Sequence, residues 1–460
     1  MADNEKYACG YKNSQTGEIV YYKDKDARSQ LKEKGYKTFA TPEEFGAKGD
    51  GITDDTKAIQ DAINSGYNTV IFSSKKYLIK SLDLKRGCSL IGTYAFDTET
   101  LKGTILNCTD ENNPAITING GNLIQNIAFY YPNQSWNSDI LKPAINYPAT
   151  IKANPGTQRI KLDNLLFINP YIAMDFSVEH EYIVGTNIQG YALYKGLIID
   201  NGSDIDRFKT VHFNYNTIRA YNLVKNADEF AKWTRDNGTA FDIGRSDWSV
   251  FDDIFCWSYI IGVSIRQVSS KSPTHGIKII NSGFDACRTC LYTENMKYVN
   301  IVNCEFTAFH NWDNISDKEN SAINIASGQS INIIGCNFWG CSKECIVANA
   351  ERVIISNNGF YEFGKKAVTY NEDRRAILLK TGSYIISNNI FNAHSADKVC
   401  GILCSTSEDK ITTCLVLSSN IFENFSTTVI SSVKPTTYKN TNNVFINCTN
   451  STLDNVIIKE

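Results

Sequence analysis

A motif that ends in phenylalanine recurs along the second half of the chain, and it constrains the fold more than any other feature of the sequence. In each copy, small or amide residues lead to the phenylalanine, and the copies follow one another at intervals of 22 to 32 residues. Strand-built repeats of about 20–50 residues are typical of solenoids and propellers. The unequal intervals favour a solenoid, because loops of any length can leave each turn. The phenylalanines are Phe284, Phe306, Phe338, Phe360, Phe391, Phe422 and Phe445.

The position two residues before each phenylalanine is restricted to small or amide side chains. Asparagines stacked at this position can form hydrogen bonds from one turn to the next, and cysteine fills the same narrow space without a polar penalty. We therefore predict an all-β fold: a right-handed parallel β-helix with a short N-terminal α/β cap and inward-pointing phenylalanines. The residues at this position are Ser282, Cys304, Cys336, Asn358, Asn389, Asn420 and Asn443.

Composition argues against several classes of protein. The chain has 460 residues and a formal net charge of −3, which is unlike a protein that binds nucleic acid by neutralising phosphates. No run of about 18 apolar residues occurs, so we expect no membrane insertion. The start, MADNEKYACG, lacks the basic-then-apolar order of a signal peptide, which predicts synthesis in the cytoplasm without a signal peptide. The 14 cysteines are widely spread, and we expect buried thiols, no metal and no cofactor.

Three segments are expected along the chain. Residues 1–40 contain two tyrosine-rich runs typical of a hairpin, followed by a charged helix, and they form an attachment or capping module. Residues 41–93 begin the β-helix and contain a capping helix, with Thr53 or Asp54 as its N-cap. Residues 94–460 form the parallel β-helix with loop insertions, and few helices are expected there.

Residues 45–93 resemble a known family. Residues 45–63 read FGAKGDGITDDTKAIQDAI, and residues 69–93 read TVIFSSKKYLIKSLDLKRGCSLIGT. Both stretches resemble the N-terminal part of the pectate-lyase-like superfamily, in the branch of bacteriophage tailspikes and polysaccharide depolymerases. The chain departs from that pattern at Ser73–Lys76, where the family usually has Pro-x-Gly.

The resemblance implies a homotrimeric virion protein of the phage tail. It implies attachment to the tail or baseplate through the N-terminal module, and binding and depolymerisation of a bacterial surface polysaccharide, either capsule or lipopolysaccharide. Glycosidic hydrolysis is the leading expectation. A receptor-binding tail protein without catalysis is one alternative. The other is a polysaccharide lyase acting on a uronic-acid-containing glycan, for which Arg266 or His275 is a candidate proton abstractor.

Side-chain alternation selects a candidate catalytic pair. If the phenylalanines point inward, the residues on either side of each point outward. Asp285 follows one phenylalanine and Glu305 precedes the next, so a diagonal of roughly 8 Å separates them on successive coils. That spacing suits an inverting glycosidase. We assign Glu305 as general acid and Asp285 as base, with Asp252 or Asp253 one coil below as a helper.

Aromatic and amide side chains near the pair are candidates for sugar binding, because aromatic faces and amides suit the two sides of a sugar ring. They are Trp248, Trp257, Trp312, Asn337, Trp339 and Tyr361. Toward the C-terminus the outward positions become aliphatic at Ile390, Ile421 and Val444. Because monomers rarely expose such stripes, we expect them to be covered by neighbouring chains of a trimer.

Overall fold

The structure is a computed structural model that describes most of the chain from residue 38 onward, together with an N-terminal hairpin. The hairpin is antiparallel and pairs Tyr7–Lys12 with Ile19–Lys23, as predicted. The charged helix expected over residues 26–34 lies outside the described residues. These are 7–12, 19–23, 38–94, 101–221, 223–267, 275–308, 321–364, 374–393, 399–404, 412–425, 427–431, 435–449 and 457–458.

The main body is a parallel β-helix in which each coil passes through three sheets, which we name A, B and C in chain order. Sheet A contains Thr69–Ile71, Ser89–Ile91, Gly202–Asp204, Lys278–Ile280, Val299–Val302, Ser330–Ile334, Thr412–Ser418 and Thr437–Thr441. Sheet B contains Asp50–Asp54, Lys76–Ile79, Thr104–Cys108, Gly283–Asp285, Glu305–Thr307, Asn337–Trp339, Gly359–Tyr361, Ile390–Asn392, Ile421–Glu423 and Val444–Ile446. Five strands run from A into B: Leu123–Tyr130, Thr157–Ile168, His180–Tyr191, Arg207–Asn214 and Val250–Trp257.

Sheet C completes each coil. It contains Leu82–Leu84, Ile116–Ile118, Ala149–Ala153, Ile172–Phe176, Lys195–Ile199, Thr239–Ile243, Ile261–Arg266, Thr289–Glu294, Ile323–Ile325, Val399–Cys404, Thr427–Ser431 and Ile457–Ile458. Ile346–Ser356 and Arg374–Ser387 run from C into the next A strand. A second small hairpin pairs Trp136–Asn137 with Lys142–Pro143. The prediction of an all-β right-handed parallel β-helix is confirmed, and the hand is the one that parallel crossovers favour.

The corner between sheets A and B is made by one residue in the left-handed conformation. Asparagine and glycine tolerate this conformation, which explains the asparagine that stands three residues before most of the repeat phenylalanines. A single such residue turns the chain, so the register is kept from coil to coil. The residues at this corner are Asn126, Asn164, Asn187, Thr210, Asp253, Asn281, Asn303, Gly335, Asn357, Asn388, Ser419 and Asn442.

The repeat phenylalanines form a continuous stack inside the rod, as predicted. Adjacent rings from Phe284 to Phe445 lie 4.6 to 5.6 Å apart between centroids. The asparagines two residues earlier form the expected ladder. Asn358 donates through Nδ2 to Oδ1 of Asn389 at 3.0 Å, and Asn389 donates in the same way to Asn420 at 3.0 Å.

The first coils are closed by a helix over Thr56–Asn64, which buries Ile59, Ala62 and Ile63. Its N-cap is Asp55, so the prediction of Thr53 or Asp54 was wrong by one or two positions. The Asp55 carboxylate turns back to accept hydrogen bonds from the backbone of Lys48 at 2.7 Å and Gly49 at 2.9 Å. The aspartates of this segment therefore hold its loop together.

Helices also occur within the β-helix, where few were expected. Tyr215–Ala220 and Ala227–Asn237 form an insertion that leaves the corner between sheets B and C. Trp233 of this insertion packs against Tyr171 and Tyr194 at ring distances of 6.0 and 6.3 Å, which makes its role structural. A 3-10 helix spans Pro42–Phe45. Among the described helices, none is long and apolar enough to cross a membrane.

Most cysteines point into the interior, as predicted. Eleven of the thirteen cysteines from Cys88 onward are buried, among them Cys304 and Cys336 in the asparagine column. The neighbouring Cys304 thiol and, to a smaller extent, burial raise the pKa of Cys336. Cys336 is therefore protonated and behaves as a small apolar residue.

Candidate functional site

The candidate pair lies on the outer face of sheet B, on adjacent coils. The strand Gly283–Asp285 pairs in parallel with Glu305–Thr307, so that Gly283 is opposite Glu305 and Asp285 is opposite Thr307. Asp285 and Glu305 are thus offset by one strand spacing and two residues. The corresponding diagonal is roughly 8 Å. The register therefore places Asp285 and Glu305 relative to each other as predicted from the alternation of side chains.

The two carboxylates lie in different environments. Asp285 is half-buried, and this burial raises its pKa above the usual 3.8, with a smaller contribution from the Cys287 thiol. Glu305 is exposed to solvent. A general acid needs a carboxyl that stays protonated to higher pH, which burial provides. This asymmetry favours Asp285 as the acid, the reverse of the assignment made from the sequence.

Asp252 and Asp253 lie on the coil below Asp285, as expected, but not directly beneath it. The residue opposite Asp285 on the coil below is Trp257. Asp253 occupies the left-handed corner between sheets A and B and accepts a hydrogen bond from Thr210 at 2.8 Å. Asp252 accepts one from Asn281 at 2.9 Å. Both therefore stabilise the corner, and Asp253 also lies with Oδ1 3.2 Å from Nε2 of His212.

Several predicted sugar-binding residues share the face that carries the pair. Asn337 is exposed next to Glu305, and Trp339 and Tyr361 follow on the next two coils at 47% and 39% exposure. The Tyr361 ring lies across Gly359, where a Cβ would meet it at 2.6 Å, and this covers Gly359. Thr307 lies opposite Asp285 as expected but is buried. Trp312 lies outside the described residues.

A second charged group on sheet C was missed by the sequence reasoning. Asp242 is 4% exposed, and its carboxylate contacts the Lys195 ammonium and, at 3.5 Å, Nε of Arg266. Tyr292 on the following coil donates to Glu294 at 3.2 Å. A guanidinium paired with a carboxylate is a poor proton acceptor, which argues against Arg266 as the base of a lyase. No local motif signals this group, because its members come from different coils.

A cavity of about 490 Å³ opens at the corner where sheet C leads into sheet A. We name it the corner cavity, and it is lined by Asp247, Trp248, His275, Gly276, Lys278, Tyr298 and Asn300. Trp248 therefore does not lie on the outer face of sheet B, although the strand that follows it, Val250–Trp257, runs from sheet A into sheet B. His275 lies with Nδ1 3.8 Å from Oδ1 of Asp247.

Comparison with known proteins assigns the first half of the chain. Residues 41–250 match the family described as rhamnogalacturonase A/epimerase, pectate lyase-like. This segment is a pectate-lyase-like domain. The resemblance drawn from residues 45–93 is therefore confirmed, and the match extends well into the coils.

Relatives with described activities are similar over short stretches or in fold alone. A capsule K30/K69-specific depolymerase of Klebsiella phage K64-1 is 61% identical over 46 residues, which cover 10% of this chain and 6% of that protein. Tailspike protein 3 of bacteriophage CBA120 has a TM-score of 0.60 at 15% identity, covering 96% of this chain and 66% of that one. The A-module of the Azotobacter vinelandii mannuronan C-5 epimerase AlgE6 has a TM-score of 0.52 at 13% identity, covering 88% and 99%.

Proposed function

We propose that this chain is the β-helical part of a bacteriophage tailspike that binds and depolymerises a bacterial surface polysaccharide, capsule or lipopolysaccharide, by glycosidic hydrolysis. The similarity to a phage capsule depolymerase and the tailspike-like fold support this class. The observation that carries the chemistry is the register of Asp285 and Glu305 on adjacent coils of one outward face.

In the proposed reaction Asp285 is the general acid and Glu305 the general base. Asp285 donates its proton to the glycosidic oxygen as the bond to the anomeric carbon breaks. Glu305 removes a proton from the water that attacks the opposite face of the sugar. The roughly 8 Å diagonal leaves room for that water, as in inverting enzymes, whose carboxyl groups are about 6.5–9.5 Å apart. Trp257, directly below Asp285, is half-buried and packs against Tyr215 with the ring centroids 5.1 Å apart.

The assembly we propose is a homotrimer on the phage tail, attached through the N-terminal module. Its support is the apolar surface of the C-terminal coils, where Ile390 is 39% and Val444 50% exposed on sheet B. Ile354 and Ile385 continue this surface around the corner on sheet A at 38% and 44% exposure. Burying them between chains is favourable by about 25 cal/mol for each Å² removed from water.

Digestion of purified capsules tests the chemistry, with Asp285→Asn and Glu305→Gln as the variants. Each should retain glycan binding and lower the rate of cleavage by roughly 10²–10⁴-fold, because each removes one partner of acid–base catalysis. Asp252→Asn is the matched control, since it removes a surface carboxylate of the neighbouring corner and should cleave normally. The wild-type protein should produce new reducing ends of inverted anomeric configuration, and NMR spectra recorded during the digestion identify that configuration.

The same digestion separates the alternatives. Absorbance of an unsaturated uronate would indicate a lyase, for which His275 in the corner cavity is the available candidate base. Binding without fragments from any capsule of the host would indicate a receptor-binding tail protein. Wild-type rates in both carboxylate variants would exclude this pair as the catalytic site.

A further inference from the structure

The corner cavity takes no part in the proposed hydrolysis, and its lining includes two exposed aromatic side chains. At the A–B corner the left-handed position is filled by residues that tolerate it, mostly asparagine. At the C–A corner the equivalent left-handed position is held by glycine on some coils and by Arg159, Tyr182, Trp248 or Tyr298 on others. Of these side chains, Trp248 and Tyr298 line the corner cavity. The left-handed turn therefore belongs to the corner itself, and the feature that points to a ligand is the pair of exposed aromatic side chains beside the cavity.

Packing does not explain the two aromatic residues. Trp248 is 61% and Tyr298 55% exposed, so neither ring contributes much to the core. Aromatic side chains that are open to solvent beside a cavity are suited to binding a ligand. Sugar rings present apolar C–H faces that stack on such rings, and the 490 Å³ volume is in the range of small-ligand sites.

The backbone around the Trp248 ring is held in place. Nη1 of Arg207 donates to the Trp248 carbonyl at 3.1 Å, and the Trp248 N–H donates to the His275 carbonyl at 2.8 Å. Gly276 lies against the indole, where a Cβ would be 3.4 Å from Cε3. The ring is therefore presented from a fixed support, which lowers the entropy lost on binding.

The charges around the cavity favour an anion. Asp247 is neutralised by Arg245, whose Nη2 and Nε lie 2.8 and 3.2 Å from Oδ2. His275 and the exposed Lys278 also face the cavity. Because Arg245 neutralises Asp247, Lys278 supplies the remaining positive charge among the described lining residues, and it is the group that can pair with an anionic ligand.

We propose that the corner cavity is a subsite for an acidic sugar unit of the polysaccharide, with its ring against Trp248 and Tyr298 and its carboxylate on Lys278. This rests on the proposed function, since it takes the ligand to be the same glycan. Lys278 begins the strand that leads through the A–B corner to the strand of Asp285, so the subsite and the proposed acid lie on the same coil.

Binding of monosaccharides to the full chain tests this subsite without any cleavage. The probes are D-glucuronate and D-galacturonate, with D-glucose and D-galactose as neutral matches. Saturation-transfer NMR and tryptophan fluorescence measure the binding of each sugar. The uronates should bind roughly tenfold more tightly than their neutral matches, as expected of one charge-assisted hydrogen bond. Lys278→Met should remove this preference, and Trp248→Ala should remove most binding of all four sugars.

The control variant is Tyr182→Ala, which removes another tyrosine that is exposed and left-handed but does not line the cavity. It should bind like wild type. Equal binding of acidic and neutral sugars, or unchanged binding by Trp248→Ala, overturns the subsite. Failure of wild type to cleave any capsule refutes the hydrolase while leaving uronate binding measurable, so the two failures are distinguishable.

Discussion

Replacing Asn389 by alanine should destabilise the rod more than any exposed polar substitution, because this side chain bonds to both neighbouring coils. Asn389 is fully buried. Its Nδ2 donates to the Ile355 carbonyl at 2.9 Å and to Oδ1 of Asn420 at 3.0 Å. Its Oδ1 accepts from the backbone N–H of Asn358 at 2.9 Å and from Nδ2 of Asn358 at 3.0 Å.

The magnitude follows from what alanine leaves behind. The Asn358 backbone N–H loses its side-chain acceptor inside the rod, and a buried unsatisfied group costs about 1–3 kcal/mol. The other three hydrogen bonds each contribute about 1 kcal/mol net, although Asn420 and Asn358 keep further partners that reduce the loss. We expect the free energy of unfolding to fall by about 3–5 kcal/mol.

Urea unfolding followed by far-UV circular dichroism measures this change, and the half-life at elevated temperature replaces it if unfolding is irreversible. Asn332→Ala is the matched control. Asn332 is half-buried and donates a hydrogen bond to Asn300 at 2.8 Å, so its loss should cost no more than about 1 kcal/mol. If Asn389→Ala unfolds at the same urea concentration as Asn332→Ala, the ladder does not stabilise the rod in this way.

Three further predictions concern titration, thiols and assembly. Burial lowers the pKa of His180, but the 3.0 Å contact with Asp206 outweighs this effect, so the net pKa lies above the usual 6.5. The stability that this pair contributes should therefore be fully present below about pH 6.5 and be lost as the pH rises through the folded-state pKa. His180→Gln should flatten this part of a profile of urea midpoint against pH. Cys304 and Cys336 should resist a thiol reagent in the folded protein, and rapid labelling seen by mass spectrometry would contradict their burial. Light scattering at micromolar concentration should give a trimer that Ile390→Asp weakens, whereas a wild-type monomer would exclude this assembly.

The features carried by the repeat could be predicted from the sequence. A residue at a fixed distance from an inward phenylalanine faces the same way in every coil, because side chains alternate and a single residue turns each A–B corner. This is why the phenylalanine stack, the asparagine ladder and the relation between Asp285 and Glu305 followed from spacing. Thr307 keeps the register of Asp285, but its burial depends on its surroundings and could not be predicted from the spacing.

Contacts that join irregular segments were decided by the tertiary structure alone. Lys195 and Asp242 meet on sheet C because the helices Tyr215–Ala220 and Ala227–Asn237 leave the rod and return to it between them. The corner cavity brings together Trp248 and Tyr298 from different coils, across loops whose length carries no periodic signal. In a β-helix the pairing of coils determines which residues become neighbours. Insertions of unequal length change the sequence separation between such neighbours from coil to coil, so these sites could not be predicted from spacing.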